Sequence, residues 1–282
     1  MLGNADVMRD HISRPEWVKQ QYATDGNLNA RIALHKRFST SQIPWSGWVL
    51  DHVAGELDKQ FSNSGPGAYR LLELGCGPGS TWADSAGHRA ASWRPVLSDL
   101  SPGMVLSARR NLSRAGVEAA LLVANAEGIP ADDASFHAII ANHMLYHVPD
   151  RTRALAEIRR VLLPGGVLFA ATNGDAHMRE LWALSHRFDP ADIQEPPSPR
   201  KFSLESGERQ LSDHFREVHV VRYENQLIVT EAEALVAYML SGMYAAVAAE
   251  KQDALRTFIE SEFAERGAVR ITPVTGMLIA HD

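Results

Sequence analysis

Cysteine is nearly missing from this chain: Cys76 is the one thiol in 282 residues. A single thiol excludes an internal disulfide and any multi-cysteine metal cluster, and it fits a reducing, cytoplasmic setting. Long hydrophobic runs are also missing. The most apolar stretch, ALVAYMLSGMYAAVAA from Ala234 to Ala249, falls short of the about 20 residues a bilayer span requires and is broken by Ser241 and Gly242, so a buried helix or lid is expected there, and no membrane partner. An excess of positive charge is lacking too. The net charge of −6 argues against a broad phosphate-binding surface, and nucleic acid is not expected as a partner. The first residues, MLGNADVMRDHIS, carry neither a basic start nor an apolar core, so no secretory leader is expected. No internal repeat is evident, and EPPSPR, Glu195 to Arg200, reads as an extended connector.

What is present begins with enough apolar residues, 45%, to build one substantial core and to exclude disorder. Within it, LLELGCGPG from Leu71 to Gly79 is a short apolar run that ends in three glycines. Leu71, Leu72 and Leu74 suit a strand buried on both faces, while Gly75, Gly77 and Gly79 let the backbone turn sharply and leave room for a ligand. Asp99 closes VLSDL at the end of the next predicted strand, where a carboxylate can accept both hydroxyls of a ribose. The dinucleotide fingerprint G-x-G-x-x-G is not completed, because Ser80 stands where its last glycine belongs. Glu73, an acid at the end of a buried strand, is costly unless paired.

The remaining pattern, G-x-G-x-G with Glu73 two residues ahead, resembles the first motif of the class I S-adenosylmethionine-dependent methyltransferases. SDLSPGM, Ser98 to Met104, is similar to that family's second motif, ANAEGIPADDASFHAII, Ala124 to Ile140, to its third and fourth, and LLPGGVLFAAT, Leu162 to Thr172, to its fifth. The four blocks stand in order over about a hundred residues, in the manner of the small-molecule, ubiquinone- and menaquinone-methyltransferase-like branch. The resemblance implies S-adenosyl-L-methionine as cofactor and S-adenosyl-L-homocysteine as product. It implies backbone contacts at Gly75, Cys76, Gly77 and Gly79, a ribose contact at Asp99 with Leu100 beside it, and an adenine environment of Met104, Asn125, Ala126 and Glu127. Glu73 is then expected to orient the cofactor's ammonium, directly or through water, and Asn142 and Tyr22 to lie near its sulfonium end. Two positions depart from the family's wording. Asn125 replaces a common aspartate but keeps a carbonyl acceptor, and His137, in the place of another aspartate, has no reading from sequence.

Apolar runs at Leu71 to Leu74, Val96 to Leu97, Ala119 to Val123, Ala138 to Ala141 and Val167 to Ala171 alternate with helical patterns such as Arg151 to Leu163. This alternation predicts an α/β fold with a mostly parallel sheet whose ligands sit at the carboxyl ends of the strands. The resemblance makes it a Rossmann-like, doubly wound, seven-stranded sheet completed by Val218 to Tyr223 and Met277 to Ala280. Residues 1–65 read as a helical cap and 66–282 as the core, with a helical lid inserted at about 230–266. In the cap, Ser13 and Glu16 form a capping-box pair that starts a helix through Trp17 and Tyr22. A second helix, Leu28 to Phe38, puts Leu28, Arg31, Ile32 and His35 on one face, with Arg31 and His35 read as a solvated face or, in the alternative, as a site for an anionic group of substrate or cofactor. Trp48, Val49, Val53 and Leu57 mark a third helix, and Leu255, Phe258, Ile259 and Phe263 a packing stripe in the lid.

Methyl transfer is an in-line displacement, so the protein's main task is to hold the acceptor about 3 Å from the methyl carbon and exclude water. An oxygen or carbon acceptor also needs a base. NHMLYHVPD, Asn142 to Asp150, leaves the fourth strand beside the expected methyl group, and its His147 and His143 are the candidate catalytic residues. No third ligand at recognisable spacing supports a metal. Tyr146, Tyr22 and Trp17 are candidate partners for a sulfonium. The expected partner is a small-molecule acceptor, in a biosynthetic role. An RNA or protein substrate, a non-methylating cyclase or binding protein that keeps the pocket, and a nicotinamide-dependent reductase are the alternatives. Homo-oligomerisation is left open.

Overall fold

The computed structural model describes residues 26–61, 68–88, 92–190, 202–241, 244 and 248–282. The predicted helix through Tyr22 and the connector at 195–200 lie outside the described residues. Among the described residues two helices come first, α1 (Gly26–Phe38) and α2 (Trp45–Phe61). The core then runs β1 (Tyr69–Leu74), α3 (Ser80–Ala83), β2 (Trp93–Asp99), α4 (Pro102–Arg114), β3 (Ala120–Val123), β4 (Phe136–Asn142), α5 (Arg151–Val161), β5 (Leu162–Asn173), α6 (Arg179–Phe188), α7 (Leu204–Ser212) and β6 (Glu217–Arg222). The chain ends with β7 (Leu227–Val229), α8 (Ala232–Leu240), α9 (Ala249–Arg266), β8 (Val269–Ile271) and β9 (Thr275–His281).

Seven strands form one sheet in the order β3-β2-β1-β4-β5-β9-β6. β1 to β5 are parallel, and β9 enters antiparallel between β5 and β6. Strand order therefore reverses between β1 and β4, which opens a crevice at their carboxyl ends. The two-residue period of a strand assigns alternate side chains to opposite layers. Leu72, Leu74, Ile139, Ala141, Leu168 and Ala170 pack beneath α5 and α7, in a core with Leu155, Ile158, Leu204 and Leu211. Leu71, Ala138, Ile140, Val167 and Phe169 point the other way, onto Val49, Leu50, Val53 and Leu57 of α2 and Leu112 of α4. Ser101 caps α4 by accepting from the Met104 amide, with Pro102 in the first turn.

A third apolar cluster lies apart from the sheet. Leu34 and Phe38 of α1 pack with Leu181 and Leu184 of α6, Leu227 and Val229 of β7, Leu235, Val236 and Met239 of α8, Leu255 and Ile259 of α9, and Ile271 of β8. The first cap helix thus shares its core with the insertion, while α2 belongs to the sheet. The antiparallel pair β7-β8 was not predicted, because three-residue strands are too short for a periodic signal. One expectation is corrected: Arg31 and His35 do not form a solvated face. Arg31 donates from Nη2 to the Ser241 carbonyl at 2.7 Å, and His35 turns inward against His177 and Tyr238. Charged and apolar residues at helical spacing look alike whether the opposing surface is water or another helix. Among the described residues, no helix is long and apolar enough to cross a membrane.

Candidate functional site

The crevice is built from the strand ends upward. β1 stops at Leu74, and Gly75, Gly77 and Gly79 take φ of +65°, +55° and +75°, a region that side-chain-bearing residues rarely adopt. At Gly75 there is a second reason for glycine: a Cβ would stand 2.7 Å from the Met144 Cβ. Asp99, at the end of β2, accepts from the Gly77 amide on Oδ2 at 2.9 Å and from the Ser101 amide on Oδ1 at 2.8 Å. Burial pushes its carboxyl upward while those two amides pull it down. Leu100 beside it is half-buried, and Met104 and Ala126 are buried. At the end of β3, Asn125 accepts the Glu127 amide on its side-chain carbonyl at 3.1 Å, and Glu127 accepts the Asp150 amide at 3.0 Å. Cys76 is buried, and desolvation, with Glu73 and Asp99 nearby, pushes its thiol well above the ordinary range.

Glu73 is sealed inside, 1% exposed, and its carboxyl group is engaged at both oxygens. Trp82 Nε1 donates to Oε2 at 2.6 Å and Thr81 Oγ1 to Oε1 at 3.2 Å. Burial nonetheless raises its pKa to about 8, against the pull of those two donors. The network continues outward. Asn142 Nδ2 donates to Thr81 Oγ1 at 3.1 Å, and Trp45 Nε1 donates to Asn142 Oδ1 at 3.3 Å. A line of polar contacts thus runs from α2 through the end of β4 to the acid ahead of the glycines. Sequence reasoning placed Glu73 and Asn142 in the site but not Thr81 and Trp82, which fold back on Glu73 from just past the glycines, or Trp45, whose partner Asn142 is distant in the chain.

Beyond β4 and β5 the walls carry histidines. His143 adopts φ +56° and its amide donates to the Ala171 carbonyl at 3.0 Å. Its ring lies 5.3 Å from that of Trp45. Burial lowers its pKa to about 3, aided by the nearby imidazoles of His177, His35 and His147. His147 sits on the short 3-10 turn Leu145–His147, its ring 4.5 Å from Tyr146. His177, after β5, stacks at 6.5 Å on His35, and burial lowers each of these two pKa values to about 4. His147, His177 and His35 all lie near His143. His177 could have been found only by its place just past a strand's carboxyl end. Tyr22 lies outside the described residues. His137 is remote from this wall: its Nδ1 accepts the Arg70 amide at 3.1 Å, and its ring sits edge-on to Phe61 and Tyr69 at the start of β1, a structural post.

Comparison with known proteins follows this geometry. Residues 72–170 match the family described as "Methyltransferase domain". The ubiquinone biosynthesis O-methyltransferase of Xanthomonas axonopodis pv. citri is 33% identical over 124 residues, 44% of this chain and 48% of that protein. The demethylmenaquinone methyltransferase of Thermus thermophilus is 35% identical over 99 residues, 35% of this chain and 44% of that one. The chain spans about half the length of the curated relatives it matches. In fold it is similar to the 4+2 cyclase SpnF, with a TM-score of 0.55 at 15% identity over 95% of this chain and 96% of that one. The family match covers the glycine loop and the strands that flank it, so that residues 72–170 are similar to a methyltransferase domain.

Proposed function

We propose that this protein transfers a methyl group from S-adenosyl-L-methionine to an oxygen or carbon atom of a small molecule, releasing S-adenosyl-L-homocysteine, in cytoplasmic biosynthesis. The observation that carries the reading is the crevice itself. Three left-handed glycines expose main chain with no side chain in the way, and Asp99 faces them with a carboxylate held on the Gly77 amide. The residues present fit the cofactor. Asp99 suits two ribose hydroxyls, Met104 and Ala126 offer apolar surface to an adenine, and Asn125 and Glu127 supply polar edges around it. Glu73 organises the loop through Thr81 and Trp82. When bound, the cofactor supplies an electrophilic methyl group on a sulfonium.

The remaining work belongs to the chain: to seat the acceptor, exclude water and receive a proton. α1 and α8, tied by Arg31 to Ser241, stand over the carboxyl ends of β4 and β5 as cap and lid. His143 contacts the acceptor in this reading, and the base is one of the histidines of this wall. The relatives' printed names, ubiquinone biosynthesis O-methyltransferase and demethylmenaquinone methyltransferase, support a small-molecule acceptor. The net charge of −6 speaks against nucleic acid. Calorimetry with S-adenosylmethionine and S-adenosylhomocysteine tests the cofactor. Binding of both, weakened about tenfold or more by Asp99→Ala, is expected. No heat with either compound overturns the reading. Turnover that releases S-adenosylhomocysteine separates transfer from a cyclase or binding role, and unchanged turnover across pH in His147→Ala removes His147 as the base.

A further inference from the structure

One face of the sheet is left partly uncovered. The crossovers from β1 to β2, β2 to β3 and β4 to β5 each carry a helix, but residues 124–135, which join β3 to β4, hold none. α5 packs on Ile139 of β4 and Leu168 of β5, while α4 lies on the opposite face of the sheet with Leu71 and Leu97. The α5 side of β2 and β3 therefore has no helix over it. Leu72 and Val96 are cross-strand neighbours there, as are Ser98 and Leu122, and Val96 and Leu122 stay half-buried. A cavity of about 510 Å³ occupies this gap, floored by Leu72, Val96, Ser98, Leu122 and Ala124 and walled by Ile129, Pro130, Ala131 and Phe136. That size falls within the range of small-molecule sites, about 300 to 1,000 Å³. The three glycines, Asp99 and Asn125 to Glu127 do not line it, so it is separate from the crevice.

The wall is gripped from behind by α5. Arg160 donates from Nη2 to the Ile129 carbonyl at 2.9 Å and from Nη1 to the Ala131 carbonyl at 2.8 Å, and the Ile129 amide donates to Glu157 Oε2 at 2.8 Å. The Ala134 and Ser135 amides donate to the Arg160 and Val161 carbonyls at 2.9 and 2.8 Å. The cavity is thus preformed, and its polar groups describe the occupant. Ser98 and Ser135 are already engaged, donating to the Glu73 carbonyl at 3.0 Å and the Asp132 carbonyl at 2.7 Å. Arg70 is not: its guanidinium stands 5.2 Å over the Phe136 ring at the edge of the cavity, and among the described residues it makes no ion pair. Its neighbour in register on β2 is Arg94. Like charges opposed across a ladder repel, and a bound anion offsets that repulsion. Asp132, exposed and also without an ion pair among the described residues, brings a carboxylate to the same cavity and opposes a second negative charge on the ligand.

We infer that this cavity is a second small-molecule site, which takes a monocarboxylate with an apolar body. The body lies on Leu72, Val96 and Leu122, and the carboxylate pairs with the Arg70 guanidinium, whose planar fork matches its two oxygens. The apolar floor rejects a bare inorganic anion, and Asp132 rejects a phosphate or nucleotide of higher charge. The site stands beyond the methyltransferase reading and does not depend on it.

The test titrates the full chain with octanoate and separately with 1-octanol, with and without S-adenosylhomocysteine, in wild type, Arg70→Met and Leu122→Trp. Methionine keeps an unbranched apolar stem and removes the cation, and tryptophan fills the floor. Wild type is expected to bind octanoate about tenfold more tightly than octanol, and Arg70→Met to lose that preference with octanol affinity within about twofold of wild type. Leu122→Trp should weaken both probes about tenfold or more, and S-adenosylhomocysteine should leave octanoate affinity within about twofold. No saturable octanoate binding, octanoate affinity unchanged in either variant, equal affinity of wild type for the two probes, or competition between octanoate and S-adenosylhomocysteine overturns the inference. Should Leu122→Trp fail to fold, octanoate-induced amide shifts in wild type decide: shifts centred on Val96, Ala131 and Phe136 support the site, and shifts centred on Gly75 to Gly79 overturn it. A wild-type dimer that Leu122→Trp dissociates places a second copy in the groove and also overturns it. Failure of wild type to bind S-adenosylhomocysteine overturns the methyltransferase reading alone.

Discussion

Acid should unfold this protein through its buried imidazoles, and the size of the effect follows from their placement. His35 and His177 are lowered from 6.5 to about 4, and His143 to about 3, chiefly by burial. Each folded-state value lies below the unfolded one, so the unfolded chain binds the extra proton first and stability falls as pH drops from about 6.5 toward 4. At about pH 5 the unfolded imidazole is almost fully protonated and the folded one barely so, a loss of roughly 2 kcal/mol for each residue. This is an upper value, because all three residues keep some exposure to solvent. The three are near one another, so their losses do not simply add. His35→Phe isolates one of them, since α1 can carry phenylalanine there without a backbone change. Urea unfolding of wild type and variant at about pH 7.5 and pH 5 is the assay. The variant should lose up to about 2 kcal/mol less than wild type between the two pH values, the carboxylates common to both cancelling. Equal losses in the two proteins would refute the claim that His35 is held neutral inside.

Three other perturbations test separate parts of the site. Gly75→Ala combines φ +65° with a Cβ 2.7 Å from Met144; it should cost about 2 kcal/mol or more in urea unfolding and cut S-adenosylhomocysteine affinity, and a silent substitution would contradict the tight passage of this loop. Glu73 is raised from 4.5 to about 8, so the folded state holds a proton that the unfolded state gives up above about pH 4.5, and its contribution to stability declines as pH rises to about 8. Glu73→Gln should therefore lose less stability than wild type between about pH 5 and pH 8 in the same assay, and an equal loss would show that the acid is ionised inside. Arg31→Ala removes the 2.7 Å bond to the Ser241 carbonyl. About 1 to 2 kcal/mol of stability should go with it, and hydrogen exchange at the end of α8 should quicken; unchanged exchange there would mean that the tether does not hold that end of the helix.

The reading of the core from sequence rests on signals that are local. An apolar run that stops at glycine, as in Leu71 to Gly79, reports a strand and its turn together, because strand burial and positive φ are each demanded by single residues. The alternation of apolar runs with helical patterns carries the α/β class in the same way, and β1 to β5 stand where those runs are, with β6 and β9 where the resemblance places the closing pair. β7 and β8 were illegible because three residues hold no period. Arg31 and His35 were misread because amphipathic spacing reports a face and not what covers it. His137 was unreadable for a related reason, since its partner is the Arg70 amide, 67 positions away in the chain.

By itself, then, the sequence determined the parallel strands β1 to β5, the left-handed loop and the acid after β2, since each depends on residues within a few positions of one another. The tertiary structure alone decided which histidines lie beside one another, that Glu73 is sealed by Trp82 and Thr81, and that α1 packs against α8. Those facts depend on side chains separated by up to 210 positions meeting in space, and on the loss of water around them, which no local pattern encodes.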